Sequence, residues 1–379
     1  MLSETGKKQL EKQHYKLIGT HSAVKTCYWT KAHIRGEGGC YKLTFYGIMS
    51  NQCMQMTTSM SCANRCTFCW RGYKAPVSKE WKWDVDDPRM ILDESLAAHE
   101  LLLNGFGGNP YTVPQMYEKS KTVKHVALSL TGEPITYPRM NEMIDMFHEK
   151  GISTFLVSNA QYDEQIKSLH PVTQLYLSID APNRPLLKEI DVPLFEDFWE
   201  RTLRSLDALK EKKHRTCIRL THIQNYNDVD DEGYAELIHR GDPDFIEVKA
   251  YMFVGASQDR TLSMANMPNH EDVVSYSKRL LKVLPEYDIV SEHVASRAVM
   301  FAKKDKFFID GVWNTWIDFV KFAELYNSGA QIRTEDFMLP TPKTGLSGRT
   351  TKEHVTLKST FKTKRKERAI EQGRIIGTA

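Results

Sequence analysis

Past residue 122 the chain alternates short apolar runs with longer stretches in which apolar residues recur every three or four positions. The runs at 123–130, 153–158, 174–179, 216–223 and 245–251 have the length and continuity of strands buried on both faces. The stretches between and after them, 137–150, 195–212, 231–240 and 271–284, carry the period of amphipathic helices. This βαβα alternation predicts a parallel sheet with right-handed crossovers, which a barrel and a doubly wound sheet would both satisfy. Upstream, 93–104 reads as a further helix with Asp93 and Glu94 at its positive N-terminal end. Residues 104–114 are rich in Gly and Pro and read as a connection, since they lack the lysine of a phosphate loop and no clear helix start follows. Near the C-terminus, Trp313, Trp316, Phe319, Val320 and Ala323 fit one face of a helix that closes the fold. Aromatics beside lysines there can also meet unstacked RNA bases.

Composition adds bounds rather than a function. With 379 residues, 41% hydrophobic and 26% charged, the chain has the make-up of a globular protein built on one large domain with extensions. The net charge of +3 is uneven: from Pro340 onward there are ten Lys or Arg against three Glu. That tail reads as a solvated end able to contact phosphates. No apolar run approaches the roughly 18 residues of a membrane span and the N-terminus has no apolar leader core, so a soluble cytoplasmic protein is expected.

The chemistry is concentrated in the cysteines. Cys62, Cys66 and Cys69 form a C-x3-C-x2-C run within S-C-A-N-R-C-T-F-C-W-R-G, and Cys27, Cys40 and Cys53 precede it at twelve-residue intervals. A structural zinc site takes two paired hooks, and only Cys66 and Cys69 make one. A disulfide framework belongs to short secreted chains. Scattered core thiols are the plain alternative for the upstream three, but six of the seven cysteines fall within 43 consecutive residues. Three sulfurs leave a four-position centre open, either to a distant fourth residue or to a substrate or cofactor. Cys217, inside an apolar run, reads as core.

The C-x3-C-x2-C run with Phe68 before its third cysteine resembles the signature of the radical S-adenosylmethionine (SAM) superfamily. Together with the upstream spacing, L-T-G-E-P at 130–134 and W-N-T-W-I-D at 313–318, the chain resembles the tRNA 4-demethylwyosine synthase family over roughly residues 20 to 325. The resemblance implies a partial (β/α)6 barrel. Its expected parts are an N-terminal extension at 1–58 carrying auxiliary cluster ligands, the barrel at 59–302, an aromatic segment at 303–339 and a basic tail at 340–379. It implies two 4Fe–4S clusters, one on Cys62, Cys66 and Cys69, where SAM completes the open iron, and an auxiliary one on Cys27, Cys40 and Cys53. Gly132 and Glu133 would meet the SAM amino group, with Ser158, Asn159 and Ser178, beside Asp180, at neighbouring strand ends. Each of these short polar residues could equally cap a helix. His222 at another strand end reads as structural.

The implied reaction joins 1-methylguanosine, next to the anticodon of phenylalanine tRNA, to pyruvate, whose carboxylate is lost as the third ring closes. The implied partners are that tRNA, pyruvate and a separate electron donor such as a flavodoxin or ferredoxin, with the enzyme a monomer. The flavodoxin-like domain fused ahead of this region in eukaryotic members is not expected in this chain. Lys42, two residues after Cys40, could form a Schiff base with a keto acid. The reading favoured here is chelation of pyruvate by the open auxiliary iron, with Lys42 positioning or protonating it. Rival readings are another radical SAM enzyme with an auxiliary cluster, such as an activase or peptide maturase, and a metal-bearing tRNA-binding module without catalysis.

Overall fold

A computed structural model describes residues 2–71 and 76–342. The basic tail from 343 onward lies outside the described residues. The chain before the C-x3-C-x2-C run forms α1 (Glu4–Lys12), β1 (Lys16–Ile18), β2 (Ser22–Val24), α2 (Tyr28–Ile34), α3 (Tyr41–Tyr46) and β3 (Cys53–Thr57). Next come α4 (Pro88–Leu103), α5 (Pro114–Ser120), β4 (His125–Leu128), α6 (Met140–Glu149), β5 (Ser153–Ser158), α7 (Asp163–Ser168) and β6 (Gln174–Ser178). The rest of the barrel is α8 (Arg184–Asp191), α9 (Phe198–Lys210), β7 (Thr216–His222), α10 (Asp231–Gly241) and β8 (Phe245–Ala250). Then follow α11 (His270–Leu280), β9 (Tyr287–His293), β10 (Ala298–Lys303) and α12 (Lys304–Phe307).

Six strands, β3 to β8, lie side by side in chain order and parallel, with the helices as crossovers. This is the (β/α)6 arrangement that the family resemblance implies. The antiparallel pair β1/β2 extends it beyond β3, and β10 followed by β9 extends it beyond β8. The period of two divides the strands cleanly. Met54, Met56, Val126, Leu128, Leu156, Leu175, Leu177, Ile218, Leu220, Ile246 and Val248 join the layer packed against the crossover helices. Their neighbours Cys53, Ala127, Phe155, Tyr176, Cys217 and Phe245 face the inner side, where α3 and the C-terminal segment pack. Cys217 is accordingly fully buried in that inner layer.

Several expected elements move. Residues 1–58 supply the first parallel strand and the edge pair beside it, so that stretch is woven into the sheet rather than set before it. The helix expected from Asp93 begins at Pro88, where the Asp87 side chain accepts from Arg89 N at 2.9 Å and Met90 N at 3.3 Å. Proline at the first helical position supports that start, and Asp93 and Glu94 fall in its second turn. The Gly- and Pro-rich connection does lead into a helix, α5. The aromatic segment is not one helix. Phe308–Ile309 (β11) and Val312–Trp313 (β12) form a hairpin around Asp310 and Gly311, both at positive φ. Trp316–Ile317 (β13) pairs with Met338–Leu339 (β14). A helix, α13 (Phe319–Asn327), starts only where the Asp318 side chain accepts from Lys321 N at 2.9 Å. Turn chemistry and a new N-cap override the helical spacing of the aromatics. Trp316 lies against Gly47, where an added Cβ would come within 2.9 Å of the indole, and it donates to Thr44 O at 3.1 Å. Among the described residues no helix is long and apolar enough to cross a membrane.

Candidate active site

The Cys62–Cys69 loop leaves the C-terminal end of β3, the end at which parallel α/β folds place their ligands. Its shape is set by backbone bonds to other crossovers: Cys62 N to Pro76 O (3.3 Å), Arg65 N to Asp191 O (2.9 Å) and Thr67 N to Ile190 O (2.7 Å). Arg260 donates to Cys66 O. A cavity of about 460 Å³, lined by Arg65, Thr67, Val192, Asp259, Arg260 and Thr261, opens against the same loop. All three cysteines are unbridged. Burial pushes the Cys62 thiol up to about 12 and the Cys66 thiol well above its usual range, Glu133 adding to the first and Asp191 to the second.

Glu133 and Asn159 close over Cys62. Gly132 sits at φ +65°, and an added Cβ would lie 2.1 Å from Ser59 O, so the chain can pass only as glycine. Glu133 N then donates to Ser61 O at 2.7 Å. The Glu133 carboxylate is buried, accepts from Asn159 N at 3.0 Å, and keeps its Oε1 without a partner among the described residues. Burial raises its pKa to about 8, against the pull of the Asn159 N–H and the Ser158 hydroxyl. The Asn159 amide reaches Cys62 Sγ at 3.5 Å. Ser158 is fully buried and its Oγ accepts from Ala160 N at 3.3 Å, which makes it a turn former as much as a ligand group. Ser178 ends β6, and Asp180 just past it accepts from Thr221 N at 3.1 Å. His222 stacks on Tyr276 and faces Asp228 at 3.4 Å, a structural role.

The upstream cysteines converge from three elements. Cys27 caps α2, its Sγ accepting from Thr30 N at 3.3 Å; Cys40 precedes α3, its N–H held by Ser50 Oγ at 2.9 Å; Cys53 opens β3. Each of the three lies within electrostatic reach of the others. Burial pushes Cys40 up to about 11 and Cys53 to about 12, with Lys42 the main opposing influence on both. The Lys42 Nζ lies 5.6 Å from the Phe155 ring centroid, over the inner face of the sheet. Around it the strands contribute charged groups that no motif announced. Glu247 accepts from Tyr46 Oη at 2.8 Å and its carboxyl is raised by burial, with Arg219 opposing. Lys249 donates to Ser296 O at 3.1 Å and is lowered to about 8, chiefly by burial.

Two three-thiol sets therefore stand at opposite ends of β3. Among the described residues no three His, Cys, Asp or Glu side chains converge as ligands of one metal ion do. A cubane cluster takes each thiolate on a different iron, so a three-thiol set would leave its fourth iron open. The orphaned Glu133 oxygen and the glycine passage beside Cys62 suit a polar cofactor lying against that set.

Residues 56–238 match the family model described as the radical SAM superfamily, and residues 240–303 match wyosine base formation. The chain is 46% identical to the S-adenosyl-L-methionine-dependent tRNA 4-demethylwyosine synthase TYW1 of Xenopus laevis, over 98% of this chain and 51% of that protein. It is 48% identical to the Oryza sativa subsp. japonica enzyme, over 89% of this chain and 52% of that protein. The chain thus spans about half the length of the curated relatives it matches. A solved structure of TYW1 with a lysine–pyruvate adduct bound superposes with a TM-score of 0.72 at 36% identity, covering 80% of this chain and 97% of that one. The crystal structure of archaeal TYW1 gives 0.66 at 34% identity, covering 80% and 98%. On the six-stranded parallel sheet, the cysteine sets at the two ends of its first strand and these matches, the chain belongs to the tRNA 4-demethylwyosine synthase family of radical SAM proteins.

Proposed function

We propose that this chain condenses 1-methylguanosine of phenylalanine tRNA with pyruvate to give 4-demethylwyosine. The observation that carries the reading is the pair of three-cysteine sets at the two ends of β3, one reaching the sheet's ligand-binding end and the other facing its interior beside Lys42. Cys62, Cys66 and Cys69 would hold a 4Fe–4S cluster with SAM at its open iron, and Cys27, Cys40 and Cys53 an auxiliary 4Fe–4S cluster. When bound, the first cluster and SAM would supply the radical chemistry that removes hydrogen from the N1-methyl group of the base.

Glu133, Gly132 and Asn159 orient the amino-acid end of SAM, with Ser158 and Ser178 nearby. The barrel interior excludes water from the radical chemistry. Lys42 handles pyruvate. The sequence favoured pyruvate on the auxiliary iron with Lys42 beside it, but the lysine–pyruvate adduct of the related structure supports Lys42 as the covalent carrier. Its amine adds to the ketone and water leaves, and the imine holds pyruvate in place on the inner face of the sheet. Lys249 and Arg219 supply positive charge on the same inner face for that carboxylate. The electron comes from a separate donor such as a flavodoxin or ferredoxin, and the enzyme acts as a cytoplasmic monomer. The test is an anaerobic reaction with dithionite, SAM, pyruvate and tRNA bearing 1-methylguanosine, followed by nucleoside mass spectrometry. Release of 5′-deoxyadenosine without the tricyclic nucleoside under every tRNA condition would defeat the assignment.

A further inference from the structure

If one cysteine set generates the radical and the other serves pyruvate, the RNA base must be held between them, and Arg71 marks that place. Two residues past Cys69, its guanidinium lies within electrostatic reach of both Cys69 and Cys27, one member of each set. It donates to the buried Tyr15 Oη at 2.6 Å and lies 3.5 Å from the centroid of the Trp70 ring. On the same tyrosine ring sits Lys25 Nζ, 4.5 Å from the centroid, on a residue whose N–H bonds Gln55 O of β3 at 3.1 Å. Neither cation joins a salt bridge with a described carboxylate, and Lys25 senses Arg71 and Lys31 as like charges. The cations are therefore gathered on a tyrosine ring and hydroxyl rather than on a carboxylate, an arrangement that invites an anion.

Trp70 completes the group. Its carbonyl accepts from Ala256 N at 3.1 Å, and Gly255, at φ +60°, passes so close that an added Cβ would lie 2.6 Å from that oxygen. The backbone is thus pinned to the segment after β8 while Trp70 as a whole stays 45% exposed. An exposed indole packed on a guanidinium beside a second cation has the chemistry that receives a splayed-out nucleotide, with the base on the ring and the phosphate on the cations. Pyruvate is too small to need the ring, and a lone amino-acid carboxylate does not need the second cation. We propose that Trp70, Arg71 and Lys25 seat the target nucleotide, with the base stacked on Trp70 and its flanking phosphate held by Arg71 and Lys25. This rests on the function proposed above and names the residues that carry its RNA specificity.

The test measures affinity of the reconstituted holoenzyme for an anticodon stem-loop RNA bearing 1-methylguanosine, across salt concentrations, with SAM affinity measured in parallel. Trp70→Ala should weaken RNA binding about tenfold, as loss of one stacked base does, and Trp70→Phe should recover most of it. Lys25→Met should flatten the slope of log affinity against log salt by about 0.7, the share of one single-strand phosphate contact. Iron content equal to wild type, together with the recovery in Trp70→Phe, separates loss of the seat from loss of the fold. Variants that match wild type in RNA affinity and slope, or that lose SAM affinity in place of RNA affinity, would overturn the seat alone. A wild-type enzyme that neither binds nor converts the RNA would overturn the seat and the proposed function together.

Discussion

Replacing Gly132 by Ala should disable the cofactor site through one methyl group. The left-handed backbone at φ +65° costs an alanine about 1–2 kcal/mol. The added Cβ would also meet Ser59 O at 2.1 Å and the Met60 carbonyl carbon at 2.6 Å, both backbone atoms that no side-chain rotation can move away. The two segments must part by roughly an ångström, and displacement on that scale commonly lowers a catalytic rate about a hundredfold. The displaced segment is the one that matters, because Glu133 N bonds Ser61 O, one residue before the first cysteine of the loop. Gly151→Ala is the matched control: φ is +66°, and nothing lies within 4 Å of the added Cβ. Both variants should show a lowered denaturant midpoint from the backbone term, but only Gly132→Ala should lose SAM binding, measured anaerobically by equilibrium dialysis, and 5′-deoxyadenosine release. SAM affinity and cleavage within threefold of wild type in Gly132→Ala would refute the argument that this contact sets the site.

Reconstituted protein should carry about eight irons, and Cys62, Cys66 and Cys69 changed together to Ala should remove about half of them and all SAM cleavage; cleavage that survives would sink the radical assignment. The same treatment of Cys27, Cys40 and Cys53 should remove the other half and abolish the tricyclic product, so product at the wild-type level would reduce these thiols to core filling. Borohydride reduction in the presence of pyruvate should fix a three-carbon unit on Lys42, read by peptide mass spectrometry, and Lys42→Ala should lose it; an adduct that moves to Lys249 would name the wrong amine. His148, buried under Tyr326 and Phe322, has its pKa lowered from 6.5 to about 3, chiefly by burial, with His214 adding to it. Its contribution to stability is intact above pH 6.5 and shrinks as pH falls below it, by about 1.4 kcal/mol at pH 5.5. His148→Gln should therefore lose about that much less stability than wild type between pH 7.5 and 5.5 in urea unfolding, and equal losses would show that the ring is protonated in the fold.

Which elements could be read in advance follows from how each is buried. Strands β4 to β8 are largely covered on both sides and read as short, mostly apolar runs, broken in β7 and β8 by Arg219, Glu247 and Lys249. The first parallel strand escaped because its sequence, Cys-Met-Gln-Met-Thr, has no β-branched residue before its last position and puts Cys53, Gln55 and Thr57 on the inner face. Only pairing with β4 and β2 makes it a strand. The C-terminal aromatics misled for the opposite reason. Their spacing matched a helix face, yet Asp310–Gly311 turns the chain and Asp318 starts a helix of its own, so local backbone chemistry outranked side-chain period.

The site divides along the same line. The cysteine sets stand out by their spacing along the chain, and the Gly132–Glu133 passage because a glycine before a carboxylate at a strand end is a local pattern. The inner-face charges have no local pattern. Tyr46 and Glu247 are 201 residues apart and bond at 2.8 Å only because α3 packs across the register of β8. Arg219 and Glu247 stand opposite each other because β7 and β8 pair at those residues. A carboxylate buried among apolar strands would cost several kcal/mol if left alone, so its presence demands a partner, but the demand does not say which residue answers it. Glu247 is answered by a phenol and a guanidinium, while its Oε2, the Tyr176 hydroxyl and the Arg219 Nε remain without partners among the described residues. The Arg219 Nε and the Tyr176 hydroxyl, donors with capacity to spare beside Lys42 and Lys249, would suit the keto-acid carboxylate of the proposed reaction, whereas Glu247 Oε2 is an acceptor and would not.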